Sequence, residues 1–207
     1  MIISTMTESE IVKEVTADYF NAFRYSDHLD KKFRRIVIKS RRFPVRACYE
    51  YLSPRKNKWF IFLESRSKKE ILDNSRVSLI AVYDNQIGIH AIMGTFTNNK
   101  MHFVIYPPHF FARYRQRVLQ SEIHGKELIF RFFQENYSYV YDVCNVKVSE
   151  DKYQIEVRGS TKEGVALGLK TVEGNVFFKT FVTYEMLKGE QIAIFTENEK
   201  VRREIHG

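Results

Sequence analysis

The stretch from residue 77 to residue 106 reads VSLIAVYDNQIGIHAIMGTFTNNKMHFVIY. It holds three apolar runs separated by two short polar segments, 84–86 and 98–99, whose residue types favour tight turns. Apolar and β-branched runs bounded by such turns predict strands, here over 77–83, 87–97 and 101–106. Consecutive strands joined by turns this short pair in antiparallel fashion. The stretch therefore predicts an antiparallel sheet in the first half of the chain.

The chain before this stretch predicts a helix followed by further strands. Acidic residues stand at the start of a run in which apolar residues recur at helical spacing up to Phe23, so we expect a helix over residues 8–23. Apolar runs between basic residues and turn residues then predict strands. These strands cover 35–38, 45–52 and 59–63, with a turn at 53–58 and a short helix at 68–73.

The chain after this stretch predicts two helices and a second group of strands. Pro107 and Pro108 end the preceding strand. Proline suits the first turn of a helix, because the leading N–H groups there have no helical partner. We expect helices over 108–120 and 126–134. Strands are expected at 139–148, 153–158, 165–172 and 176–184, with a tight turn at 173–175 and a terminal helix at 197–205.

These elements define an α+β fold, with an N-terminal helix and antiparallel sheet, then a helix pair and a second antiparallel sheet. The change from strands to helices divides the chain into residues 1–105 and 106–207. No linker composition marks this boundary, so two lobes that share a core fit the sequence as well as two domains. One continuous sheet flanked by helices is the alternative architecture.

The composition is that of a globular chain without disulfides or membrane anchors. The 207 residues are 44% hydrophobic, include two cysteines and carry a net charge of +8. Two cysteines cannot form a disulfide framework, and no apolar run approaches the roughly 18 residues of a membrane span. Glu8 and Glu10 stand where a signal peptide needs apolar residues. We therefore expect a cytoplasmic protein that does not associate with membranes.

The positive charge is concentrated in residues 31–60. This segment has eleven Lys and Arg against Glu50 alone, a net charge of +10. Such a segment attracts polyanions through its field and through counterion release. Basic residues on exposed strands also prevent edge-to-edge aggregation, which is the alternative interpretation. The candidate nucleic-acid-binding residues are Arg34, Arg35, Lys39, Arg41, Arg42 and Arg46.

The helix predicted over 108–120 has a polar stripe that suits phosphate chemistry. Projected at 100° per residue, His109, Arg113 and Arg117 lie within about 80° of one another, opposite an apolar stripe. A histidine can move a proton near neutral pH, and guanidinium groups can bind a phosphate bidentately. No carboxylate cluster or zinc-ligand spacing accompanies the stripe, so we expect neither a metal nor a cofactor. An amphipathic helix with a solvated polar side would show the same residue types.

The segment His109-Phe-Phe-Ala-Arg113-Tyr-Arg-Gln-Arg117, followed by a helix and antiparallel strands, resembles the small ribonuclease toxins of the RelE, barnase and EndoU-like group. The resemblance covers residues 106–184. It implies metal-independent cleavage of RNA, with His109, Arg113 and Arg117 as catalytic residues. It also implies a cytoplasmic location and an antitoxin-like protein partner.

In those families a late strand presents a polar residue to the helix, and residues 175–184 would supply that strand here. Side chains alternate along a strand, so Lys179 and Thr183 share one face and fit a phosphate site best. Thr180 and Tyr184 would serve if the other face points inward.

Two other functions stay open from the sequence. A non-catalytic nucleic-acid-binding or phosphate-binding module, for example of a mobile element, would depend on the basic segment rather than on the helix. A structural or interaction protein would need no ligand. Tyr137, Tyr139 and Tyr141 alternate along a predicted strand, as in a stacking platform for single-stranded nucleic acid or a half-buried sheet face.

Overall fold

The computed structural model of the protein describes residues 1–73, 75–97, 100–136, 140–149, 152–171, 173–188 and 190–206. Within these ranges the helices are α1 (Glu8–Lys39), α2 (Pro108–Tyr114), α3 (Gly125–Asn136) and α4 (Glu190–His206). The strands are β1 (Val45–Leu52), β2 (Lys58–Ser65), β3 (Arg76–Asn85), β4 (Gly88–Thr97), β5 (Lys100–Tyr106), β6 (Val140–Ser149), β7 (Lys152–Ser160), β8 (Val165–Lys170) and β9 (Val176–Val182). The predicted α+β class is confirmed.

Helix α1 is twice as long as the sequence predicts. It begins at a capping box, in which the Thr7 hydroxyl accepts the Glu10 N–H and the Glu10 carboxylate accepts the Thr7 N–H. The predicted helix end at residue 23 and the predicted strand at 35–38 are wrong, because the helix continues through both. Buried positions recur every three or four residues from Ile11 to Val37. Burial of this stripe against the sheet therefore outweighs the strand propensity of the β-branched residues near its end.

All nine strands form one sheet in the order β1-β2-β3-β4-β5-β9-β8-β7-β6. Neighbouring strands are antiparallel except β5 and β9, which pair in parallel through Val104 with Val176 and Ile105 with Phe177. The two predicted antiparallel sheets are thus two halves of one continuous sheet. After β5 the chain crosses one face as α2 and α3, reaches the far edge at β6, and returns strand by strand to the centre.

Helices cover both faces of this sheet. Strand β2 shows the division, because Phe60 and Phe62 pack beneath α2 and α3 whereas Trp59 and Ile61 pack against α1. The same alternation puts Ala166 of β8 under α2 and α3, and Val165 against Phe195 of α4 on the opposite face. Trp59 and Phe60, the last two residues of the basic segment, are therefore core residues.

The helix predicted over 108–120 changes geometry halfway. It is α-helical as α2 and continues as a π-helix over Arg115–Leu119, and Gln120 then adopts a left-handed conformation at φ 48°. Proline occupies the first turn of α2 as expected. The predicted short helix near 70 is a 3-10 helix at Glu70–Asp73, and the terminal helix begins earlier than predicted, at Glu190. In the described ranges no helix has the length and apolarity to cross a bilayer.

Candidate functional site

The fold separates the basic segment into two groups at opposite ends of α1. Lys31 to Lys39 occupy the last turns of α1, and Arg41 and Arg42 follow in a bend. Arg55, Lys56 and Lys58 lie at the turn between β1 and β2, which contacts Asp18 near the start of the same helix. At 1.5 Å per residue the two groups stand about 30 Å apart along the helix axis.

An exposed array that we call the basic face runs from the middle of α1 to its C-terminal end. Its members are exposed side chains that point away from the buried stripe of α1 or follow the helix end: Arg24, Lys31, Arg35, Lys39, Arg41 and Arg42. None of them forms an ion pair with another residue in the described part of the chain. His28 lies on the same side of the helix and is exposed, whereas the acidic Asp27 lies at its border. The basic face is therefore a concentration of unneutralised positive charge.

Several other basic residues of the segment are engaged within the fold. Arg34 Nε donates to Asp30 Oδ2 at 2.8 Å, and Arg46 Nε donates to Glu64 Oε2 at 2.6 Å. Lys32 Nζ lies 5.3 Å from the ring centroid of Tyr49. Of the six candidate nucleic-acid-binding residues, the structure thus brings four together on the basic face, namely Arg35, Lys39, Arg41 and Arg42. It holds Arg34 and Arg46 in ion pairs.

A buried network anchors α1 to the turn between β1 and β2. Asp18, which is fully buried in α1, accepts hydrogen bonds from Ser53, Asn57 and Trp59 at 2.6–2.9 Å. Burial alone raises the pKa of this carboxyl, but these donors together with Asn21 outweigh burial, so the pKa is lowered. The network fixes α1 to the β1–β2 turn and so holds the whole helix against the sheet.

The polar stripe of α2 is dispersed by the fold rather than gathered around one point. His109 and Arg113 are exposed, and Arg113 Nη1 donates to Gln116 Oε1 at 2.9 Å. Arg117 lies half-buried in the π-helical turn, where its Nη1 donates to the Phe181 carbonyl at 2.5 Å and to Thr180 Oγ1 at 3.2 Å. Arg117 therefore joins the helix to β9.

A buried histidine that the sequence did not single out lies close to His109. His90 stacks on Tyr83, and its Nδ1 lies 3.0 Å from the Gly88 carbonyl, which fits a donor at Nδ1. Burial lowers the pKa of His90, and the nearby charge of His109 lowers it further. The proximity arises because Pro108 packs against Gly88 at the start of β4.

Strand β9 does not keep the simple alternation expected of it. The pairing with β8 shifts register between Leu167 and Gly168, and Phe178 and Phe181 are both buried under the helices. Lys179 is exposed at this irregularity. Thr183 caps a short 3-10 helix, and its carbonyl accepts the Met186 N–H at 3.1 Å. The β9 residue that contacts the helix stripe is thus Thr180.

A polar network that the sequence did not reveal joins α2, α3 and the loop before β8. Glu163 accepts hydrogen bonds from Tyr114 Oη at 2.6 Å, Arg131 Nη2 at 2.9 Å and Asn136 Nδ2 at 2.6 Å. Burial raises the pKa of Glu163, but these donors outweigh burial and the pKa is lowered. Burial and the adjacent carboxylate raise the pKa of Tyr114. The network is satisfied internally, which is typical of a structural role.

The remaining candidates and comparisons add no further site. Tyr137 and Tyr139 lie outside the described residues, as does the side chain of Tyr141. Among the residues that the structure describes, no group of three or more His, Cys, Asp or Glu side chains could hold a metal ion. Comparison with protein-family models, with curated proteins and with solved structures found no match.

Proposed function

We propose that this protein binds nucleic acid through the basic face of α1. One observation carries the proposal, namely that the six cations of this face are exposed and form no ion pair with the described residues. Most other cations of the same segment are held in contacts within the fold. A surface that concentrates unneutralised Lys and Arg gains free energy by releasing the counterions condensed on a phosphate backbone.

The shape of the basic face fits backbone contacts rather than base reading. Arg24 and Lys39 stand about 22 Å apart along the helix axis, at 1.5 Å per residue. Lys31, Arg35 and Lys39 follow one another at intervals of about one helical turn. Flexible cations along a rigid rod contact phosphates without selecting sequence. Trp59 is buried in the core and cannot stack on bases, whereas Phe43, which follows Arg42, is exposed.

A paired comparison of two double variants tests this proposal. Lys31→Gln with Arg35→Gln removes two charges from the basic face, and Lys56→Gln with Lys58→Gln removes two exposed charges from the far end of α1. We expect the first pair to weaken binding of an RNA or DNA oligonucleotide about tenfold at low salt, and to reduce the salt slope by about two. The second pair of substitutions should leave the binding affinity and the salt slope nearly unchanged. Equal effects of the two pairs, or binding insensitive to salt, would overturn the proposal.

As a second candidate we propose metal-independent ribonuclease activity centred on His109. The favouring observation is that His109 and Arg113 are both exposed and lie one turn apart on the same helix. A histidine can act as a base or an acid in phosphodiester cleavage. Arg113 would bind the phosphate, Arg117 and Thr180 would position the helix against β9, and Lys179 and Thr183 would flank them.

Cleavage of RNA in excess chelator tests the second candidate. We expect wild-type cleavage to persist in chelator and His109→Gln to lower it at least about a hundredfold. His124→Gln, at an exposed histidine outside the basic face, is the matched control and should leave cleavage unchanged. Absence of cleavage, or cleavage that disappears with chelator, would remove the ribonuclease while leaving the binding proposal intact. An antitoxin-like partner belongs to the ribonuclease proposal, so the same results would also remove the reason to expect that partner.

A further inference from the structure

Three phenylalanines on the protein surface lie beside the basic face. Phe20 and Phe23 are 58% and 44% exposed, and Phe43 is 36% exposed. Phe23 directly precedes Arg24 in the sequence, and Phe43 directly follows Arg42. Every other phenylalanine whose side chain the structure describes is buried or half-buried. Core packing, which accounts for those residues, therefore does not account for these three.

Phe20 lies on the same side of α1 as the cations of the basic face. Projected at 100° per residue, it is about 40° from Arg24 and about 20° from Lys31. It is about 160° from Ala22, which is buried against the sheet. The Phe20 ring meets Tyr19 edge to face, with 5.9 Å between the ring centroids. An aromatic ring therefore stands in solvent among cations that form no ion pair with the described residues.

The cations of the basic face have an exposed aromatic ring at each end. Along the helix axis Phe20 lies about 6 Å before Arg24, and Lys39 lies about 22 Å beyond Arg24. Arg42 and Phe43 follow the helix end in a bend. The cations can contact successive phosphates, while the rings offer flat apolar surfaces. Proteins that bind single-stranded nucleic acid combine these two features, with cations along the backbone and aromatic side chains on which bases stack.

We propose that the basic face binds single-stranded nucleic acid, with unpaired bases stacked on Phe20 and Phe43. This binding mode depends on the nucleic-acid binding proposed above and specifies an unpaired strand. In a duplex the faces of the bases are covered by their neighbours, so a protein ring can stack on a base only where the strand is unpaired. Stacking tolerates any sequence because every base has a π face, which suits a surface that contacts the backbone rather than base edges.

An anionic lipid surface fits the same side chains less well. Ile36 and Ile38 are also exposed near the end of α1, and cations beside exposed apolar residues occur on membrane-surface helices. Such a helix inserts a continuous apolar face into the bilayer, whereas the apolar stripe of α1 is buried against the sheet. The lipid surface is therefore the alternative that the experiment has to separate from nucleic acid.

Three oligonucleotides of about 16 nucleotides separate stacking from charge, namely a mixed-sequence single strand, its duplex, and an abasic strand that keeps the phosphates without the bases. By fluorescence anisotropy we expect the single strand to bind about tenfold more tightly than either of the others at the same salt concentration. A duplex carries more charge per unit length, so electrostatic attraction alone would favour the duplex. Salt-dependent binding of equal strength to all three would overturn the stacking and leave the proposed nucleic-acid binding intact. Absence of salt-dependent binding to any of the three would overturn both.

Phe20→Leu and Phe43→Leu each remove a ring and keep an apolar side chain. Each should weaken binding of the single strand about five- to tenfold and leave the salt slope unchanged, because no phosphate contact is lost. Phe20→Tyr keeps the ring and should bind as wild type does. Ile87→Ala, at a residue that is 77% exposed in the turn between β3 and β4, is the control and should change neither quantity. All four variants should melt within about 2 °C of wild type, because the substituted residues are exposed.

Two results would contradict the stacking of bases on these rings. Both leucine variants could keep the wild-type affinity for the single strand, which would show that an apolar contact suffices. Vesicles of phosphatidylcholine and phosphatidylserine test the lipid alternative, and we expect them to compete poorly with the single strand. Tighter association with these vesicles than with the single strand would overturn the proposal in favour of a lipid surface.

Discussion

The contact between Arg117 and β9 should contribute measurably to stability, and Arg117→Met tests this. The arginine donates to the Phe181 carbonyl at 2.5 Å and to Thr180 Oγ1 at 3.2 Å. Methionine keeps much of the apolar stem and loses both hydrogen bonds. Hydrogen bonds to a charged group contribute about 1.5–3 kcal/mol to the free energy of unfolding. Because the site is only half-buried, we expect Arg117→Met to lower this free energy by about 2 kcal/mol.

Thermal unfolding followed by circular dichroism can measure this loss. In a chain of this size 1 kcal/mol corresponds to a shift of about 2–4 °C, so Arg117→Met should melt about 4–8 °C below wild type. Arg113→Met is the matched control, because Arg113 is exposed on the same helix and donates to Gln116 at the surface. Its melting temperature should change by less than about 2 °C.

If Arg117→Met melts within about 2 °C of wild type, the reasoning that Arg117 joins the helix to β9 is refuted.

The same helix also tests the ribonuclease candidate through Arg113→Lys, which keeps the charge and loses the planar fork. We expect unchanged melting and cleavage reduced by about a hundredfold. Unchanged melting together with unchanged cleavage would end the active-site interpretation of this helix.

Three further substitutions test the internal networks. Asp18→Asn places amide N–H donors against the donors of the β1–β2 turn. Urea unfolding should show that the free energy of unfolding falls by about 2–4 kcal/mol, and a fall below about 1 kcal/mol would contradict the anchoring role. Tyr114→Phe removes the phenol that donates to Glu163, and the same assay should show a loss of about 1.5–3 kcal/mol. Arg55 holds the pKa of Glu14 at about 2, below its ordinary 4.5, so the stabilisation is full above pH 4.5 and is lost as the pH falls towards 2. Glu14→Gln should flatten the pH–stability curve in that window, and an unaltered curve would show that Glu14 does not cause it.

The sequence predicts the strands well because their signals are local. The hairpin of β3 and β4 is marked by an apolar run, a polar turn and a second apolar run, and the structure places it within two residues of the prediction. The pairing of β5 with β9 has no such signal, because it joins residues about 70 positions apart through only two pairs. A long-range contact of this kind leaves no trace in the pattern of either strand. The choice between two sheets and one was therefore open from the sequence.

The same locality explains why the extent of α1 was missed. Ile36, Val37 and Ile38 have strand propensity, and the apolar spacing weakens after Phe23 because Asp18 and Ser26 occupy buried positions of the stripe. Asp18 is buried with partners distant in sequence, such as Ser53, whereas the Ser26 hydroxyl donates to the Phe23 carbonyl one turn earlier in the same helix. A projection that includes Asp18 and Ser26 in the buried stripe continues it to Val37. That continuation would also have placed Arg24 and Lys31 on one side of a single helix.

Charge counting from the sequence finds the basic segment but does not say which of its residues the fold leaves without an ion pair. Arg34 and Arg35 are adjacent and chemically identical, yet Arg34 pairs with Asp30 one turn earlier while Arg35 points to solvent. Arg46 is equally basic and is paired with a glutamate eighteen residues away, across β1 and β2. A net charge of +10 sums such residues without distinction, whereas a polyanion responds to the charges that the fold leaves unneutralised. Which cations of the basic segment keep their charge unneutralised therefore depends on the acids that the fold brings to them, such as Asp30 for Arg34 and Glu64 for Arg46.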